Sequence, residues 1–222
     1  MPKGRGFSEP KTKKVVSNFV HGMKLFREFM EIRSMYEGLK DNDSSCEDDI
    51  IAFKLVLSEN ETIARQWKFI EGEGMIINAI KDNRHVIVSF NKPMVERISS
   101  RIEKYKHIGS PKGYQAIERI EPYTAKEKRA PSLNRYIEKQ QNEHPIDVQI
   151  MLLSHLDEAL QTKILTKLKE KIQQINGEIQ GQPYQLSNGT AIIRAVVPQS
   201  RIDDLANDNA IYRIEQTALF LV

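Results

Sequence analysis

VQIMLL (148–153), LQTKILTKLKEKIQQI (160–175), GEIQGQPYQL (177–186), SNG (187–189), TAIIRAVVP (190–198), SRIDDLAND (200–208) and AIYRIEQTALFLV (210–222) succeed one another at the end of a 222-residue chain. Their order predicts strand, helix, strand, hairpin, strand, helix, strand. Leu160, Ile164, Leu165, Leu168, Ile172 and Ile175 recur at helical spacing, so they form one apolar stripe while Lys163, Lys167, Lys169 and Lys171 face water. Asn188-Gly189 between two β-rich runs predicts a tight two-residue hairpin. Pro198 ends the next strand because it cannot donate to a ladder. Ser200 is placed to cap the second helix, with Asp203 and Asp204 in its first turn, where the helix dipole favours acids.

A βαββαβ order implies a four-stranded antiparallel sheet with two helices on one face, the ferredoxin-like arrangement. The run AIIRAVVPQSRIDDLANDNAIYRIEQ (191–216) resembles the second half of the inhibitor-type prodomain of subtilisin-like serine proteases. The same layout extends upstream. IIAFKLVLS (50–58) reads as a strand and NETIARQWKFIEGEG (60–74) as a helix ended by Gly72 and Gly74. MIINAIKDNRHVIVSF (75–90) reads as a hairpin turning at Asp82-Asn83, NKPMVERISSRIEKYK (91–106) as a second helix, and YQAIERIEPY (114–123) supplies a last strand. The expected fold class is therefore α+β, with tandem ferredoxin-like (βαββαβ) units preceded by a long N-terminal helix.

Around these units, residues 1–14 read as a flexible basic arm. Residues 15–49 read as an amphipathic helix followed by the acidic connector DNDSSCEDD. In that helix Val16, Phe19, Val20, Met23, Phe26 and Met30 keep helical spacing and are expected to pack on the rest of the protein. The first unit spans 50–123. The segment 124–145, polar and broken by Pro131 and Pro145, reads as an interdomain linker. The inhibitor-like unit spans 146–222. Taken together, this order resembles the N-terminal region of large bacterial subtilases, in which a two-part region precedes the catalytic domain.

Composition narrows the function classes. A net charge of +3 is a small excess and not the clustered basic patch of a nucleic-acid binder. The single cysteine, Cys46, excludes an internal disulfide framework and suits a reducing compartment. With no apolar leader and no membrane-length apolar run, the expected location is the cytoplasm.

No enzyme signature is present. The Asp, His and Ser motifs of a subtilase catalytic domain are missing, and His21-Gly22-Met23 lies in an amphipathic helix with no serine motif behind it. His21, His85, His107, His144 and His155 are scattered without metal-ligand spacing. Gly4-Arg5-Gly6 and Gly72-Glu73-Gly74 lack the strand-to-helix context of a phosphate loop. The chain is expected to be non-catalytic, with no cofactor and no metal. The resemblance implies that it binds a subtilisin-like serine protease catalytic domain, in cis or in trans, through the open face of its last sheet. It also implies that the tail TALFLV (217–222) enters the substrate cleft as an added strand, with Val222 next to the scissile bond, Leu219 in the pocket four residues upstream, and Phe220 and Leu221 between them. An associated ATPase is a further partner of that group. The alternatives are a stand-alone regulatory adaptor and an RNA-binding ferredoxin-like protein. The latter is disfavoured because HVIVSF and TAIIRAVV are almost without aromatics suited to base stacking.

Overall fold

A computed structural model describes residues 17–38, 50–139 and 143–217 of the chain. It is a mixed α+β protein with two antiparallel sheets. The first sheet contains β1 (Ile50–Leu57), β2 (Ile76–Ile80), β3 (His85–Asn91) and β4 (Ile117–Pro122) in the order β2-β3-β1-β4. α2 (Ile63–Gly72) joins β1 to β2, and α3 (Met94–Ile108) joins β3 to β4. Ile51, Phe53 and Leu55 of β1 pair with Phe90, Val88 and Val86 of β3. Alternation puts all six on one face, where they form a core with Ile70 of α2 and Ile98 and Ile102 of α3.

The other face of this sheet is buried too. Ile50 and Ala52 belong to the core of the second unit, and Ile87 and Ser89 are closed off from solvent. The nearly unbroken apolar run of β1 fits a strand covered on both sides.

α1 (Asn18–Gly38) is a single long helix, as its periodicity predicts, but it packs through a different face. Leu25, Phe29 and Ile32 are buried, whereas Phe19, Val20 and Met23 are 50%, 60% and 45% exposed. Phe26 and Met30 are partly buried against the same core. The helix carries two apolar stripes, and its position across α3 and the β4 edge selects one of them. That edge explains the choice. His21 Nε2 meets the Ile117 carbonyl at 2.7 Å, Lys24 Nζ donates to the Glu118 carbonyl at 2.9 Å, and Glu28 Oε2 accepts the Ile120 N–H at 2.9 Å. At i, i+3 and i+7, these side chains cap the main chain of a strand that would otherwise present an open edge.

Gly22 lets the helices approach. A Cβ there would lie 2.6 Å from the Lys106 Cα, a backbone atom that cannot swing away. Alanine gains about 1 kcal/mol in helix propensity, but overpacking costs about 1–3 kcal/mol. Gly22→Ala should therefore lower stability by about 1 kcal/mol, read as a reduced midpoint in urea at unchanged slope.

The segment 124–145 needs correcting. Instead of a plain linker, it folds into α4 (Ala125–Lys128) and α5 (Pro131–Lys139). Ala130 and Leu133 enter the second core, and Lys128 is 3% exposed. Thr124 and Glu127 make a capping box at the start of α4. This segment ties the units together: Ala130 N–H donates to the Ile214 carbonyl at 2.8 Å, and Lys128 Nζ donates to the Asp208 carbonyl at 2.7 Å. Farther along the same boundary, Tyr123 OH donates to the Tyr212 carbonyl at 2.8 Å, and Ser154 N–H donates to Asn78 Oδ1 at 3.1 Å.

The second sheet is built on β5 (Pro145–Leu152), flanked by β8 (Ala191–Pro198) and β9 (Ile211–Gln216), in the order β6-β8-β5-β9. α6 (Glu158–Gln174) and α7 (Ile202–Ala206) supply its helices. The single strand expected over 177–186 is broken into β6 (Glu178–Ile179) and β7 (Tyr184–Gln185), both paired with β8. Between them the chain departs from the ladder through Gly181 and Pro183, two residues that weaken strands. The hairpin at Ser187-Asn188-Gly189 is wider than two residues. Gly189 N–H donates to the Leu186 carbonyl and Leu186 N–H to the Thr190 carbonyl, with Gly189 alone at positive φ, +81°. Ser200 does not cap α7. It lies in a 3-10 turn (Gln199–Arg201), where its hydroxyl bonds Glu143, while Asp203 and Asp204 occupy the first turn of α7 as expected.

Candidate functional site

Among the described residues, the second sheet packs one face on helices and has no helix on the other. Val148, Ile150, Ile193, Ala195 and Ile214 face α6, where Ile164, Leu168 and Ile172 close the core. The residues between them define the open face, and the register places Gln149 between Arg194 and Glu215, and Met151 between Ile192 and Arg213. Half-buried Met151 and Val196 and the buried Ile192 therefore alternate with ion pairs, Arg194 to Asp147 at 2.7 Å and Arg213 to Glu215 at 3.1 Å. Tyr184 and Leu186, 47% and 43% exposed, extend the apolar part at the β7 margin. Such a mixture suits contact with a protein surface and contains no nucleophile with a base beside it.

β9 lies at the end of the sheet order, as expected. Its last described neighbour, Thr217, is held twice by Asp147: its N–H donates to the Asp147 carbonyl at 2.9 Å, and its hydroxyl to Oδ1 at 2.7 Å. Burial pushes the Asp147 carboxyl up, but the Arg194 guanidinium and Thr217 hydroxyl more than offset this and hold it below the usual range. The point where the chain leaves the sheet is thus anchored at the margin of the open face. Leu219, Phe220, Leu221 and Val222 lie outside the described residues. Sequence reasoning missed Asp147, Arg194 and Thr217, although the alternation of β5 already turned Asp147 and Gln149 away from the core.

The other candidates acquire structural roles. His21 has both ring nitrogens engaged, Nε2 with the Ile117 carbonyl and Nδ1 with Tyr105 OH at 2.8 Å. Burial lowers its pKa, with Lys24 adding to the effect against the Ile117 hydrogen bond. A histidine depressed in the folded state binds its proton more readily when unfolded, so its stabilisation is complete above about pH 6.5 and is lost as pH falls below that. Unfolding free energies should drop more between about pH 7 and 5 for the native chain than for His21→Gln, which keeps a donor and does not titrate. Gly72-Glu73-Gly74 holds a buried acid: Glu73, 2% exposed, receives a two-pronged Arg101 and the Tyr114 hydroxyl. Asp82 closes the β2–β3 turn, its pKa lowered to about 2 by the N–H of Arg84, the His85 ring and the His85 N–H.

Among the described residues no group of three His, Cys, Asp or Glu could hold a metal ion, and no helix is long and apolar enough to cross a membrane. No protein-family model matches the chain, and no curated protein matches it in sequence.

Proposed function

We propose that this chain is a non-catalytic prodomain or inhibitor of a subtilisin-like serine protease, acting in the cytoplasm in cis or in trans, and built as two ferredoxin-like units after a long helix. The observation that carries the reading is the anchored exit of β9. An edge strand is held at Thr217 by Asp147, at one margin of a sheet face that none of the described helices covers. In the complex, Met151, Val196, Tyr184 and Leu186 lie against the protease. Leu219, Phe220, Leu221 and Val222 add to the cleft as a strand, main-chain hydrogen bonds giving affinity and alternate side chains specificity. Bound in this way, the chain can also template folding of the catalytic domain. An associated ATPase is a further partner on this reading.

The strand orders support two βαββαβ units, each with its last strand beside its first. Burial of both faces of β1 in the first sheet supports a platform role for the first unit, with the second sheet offering the face that no described helix covers. An RNA-binding role is less well supported, because Tyr184 is the exposed aromatic on that face and base stacking uses several.

The test is inhibition of the cognate subtilisin-like protease by the intact chain and by a chain ending at Thr217. Truncation should weaken inhibition roughly tenfold or more. Absence of inhibition by the intact chain overturns the proposal.

A further inference from the structure

Phe19, Val20, Met23 and Met35 of α1 are four of the nine large apolar side chains that stand exposed among the described residues. They lie on the side of the helix that packing against α3 and β4 leaves outward. Exposed apolar groups gathered on one helix mark a surface for a partner, whereas scattered single ones need no explanation. Between Met23 and Met35 the same side carries Arg27 and Glu31, both well exposed and 3.8 Å apart. Open to water, that pair is worth little within its own helix.

The spacing of these four residues carries the inference. One centre, at the level of residue 29, lies midway between Arg27 and Glu31 and also midway between Met23 and Met35. A two-fold axis there, with two copies of α1 antiparallel, sets Arg27 against Glu31 of the second copy twice and Met23 against Met35 twice. The surface is therefore complementary to itself in charge and in apolar character, as an isologous pair requires. Met35 also lines a cleft of about 590 Å³ together with Ile32, Pro122 and Tyr123, which gives the flexible Met23 side chain of the second copy a place to enter.

We propose that the chain forms a two-fold homodimer through this outward side of α1, with Arg27–Glu31 ion pairs across the axis and Met23 packed on Met35 on either side of it. Phe19 and Val20 extend the contact along the last turn of the second helix. A contact built on one helix about 32 Å long falls at the small end of specific interfaces, so the association is reversible. It goes beyond the protease reading and does not depend on it.

The experiment is sedimentation velocity of the full chain over a concentration series, which should show a monomer–dimer equilibrium that weakens as salt rises. Glu31→Arg and Arg27→Glu each bring like charges face to face twice and should weaken the dimer roughly tenfold or more. The double reversal Arg27→Glu/Glu31→Arg restores opposite charges across the axis and should return the affinity to within a few-fold of the native chain. A pair acting only within its own helix would leave self-association unchanged in all three. Met23→Ser, at an exposed position outside the core, should weaken the dimer by a few-fold. A full chain still monomeric at about 1 mM, as when residues 1–14 or another protein cover the stripe instead, overturns the proposal. So does a dimer indifferent to the single reversals, or one that the double reversal fails to restore.

Discussion

Phe53→Ala should lower the free energy of unfolding by about 3–5 kcal/mol. Phe53 is fully buried in the central strand of the first sheet, and its ring meets Phe90 edge-on at 5.4 Å and Phe29 at 6.5 Å. Phe29 comes from α1 and Phe90 from β3, so this trio fastens the N-terminal helix to the sheet. Truncation loses the transfer energy of the ring and leaves a cavity that strands on both sides hold open. Phe53→Leu, which fills most of the volume, should cost less than half as much. The informative contrast is Phe19→Ala. Its side chain belongs to the exposed stripe of α1, and its removal should change stability by no more than about 0.5 kcal/mol. Urea unfolding of the three variants reads out which face of the helix is packed. Equal losses at Phe19 and Phe53 would contradict the described placement of α1.

Arg101→Met should cost about 2–3 kcal/mol, although half of the pair it breaks lies near the surface. Arg101 donates to both oxygens of Glu73, at 2.6 and 2.8 Å, and Tyr114 OH donates to the same carboxylate at 2.9 Å. Glu73 is closed off from solvent, whereas the Arg101 side chain is 38% exposed, so the loss is smaller than for a fully buried pair. The damage comes from the carboxylate left behind more than from the contact removed. Glu73→Gln in the Arg101→Met background should therefore recover part of the loss, since a neutral amide still accepts from Tyr114. A double-mutant cycle measures this, and strictly additive losses would show that the two groups are not coupled.

Both predictions arise from positions where periodicity alone was ambiguous. Each helix stripe and strand alternation was visible from residue spacing, because burial repeats with the period of the backbone. The α6 stripe of Ile164, Leu168 and Ile172 is buried as its spacing predicts, since that helix has a single apolar face. α1 has two, and nothing local tells Phe19-Met23 from Leu25-Phe29. Glu73 between two glycines reads as a solvated turn until Arg101 and Tyr114, 28 and 41 residues away, converge on it. For the candidate interface, the topology of the last unit was legible, and the anchor of its exit was not. The Asp147–Thr217 contact joins residues 70 apart.

What the sequence by itself determined is the succession of the main strands and helices in each βαββαβ order, the apolar stripe of α6, and the absence of a catalytic serine motif. These follow from local spacing and composition, which act over a few residues. Only the tertiary structure decided which stripe of α1 is buried, that 124–139 is folded and carries a buried lysine, and that β1 is covered on both faces whereas no described helix covers the second face of the last sheet. Each of these depends on which surfaces meet across long stretches of chain, where the burial of one apolar face against another outweighs the polar appearance of a segment or a second apolar stripe.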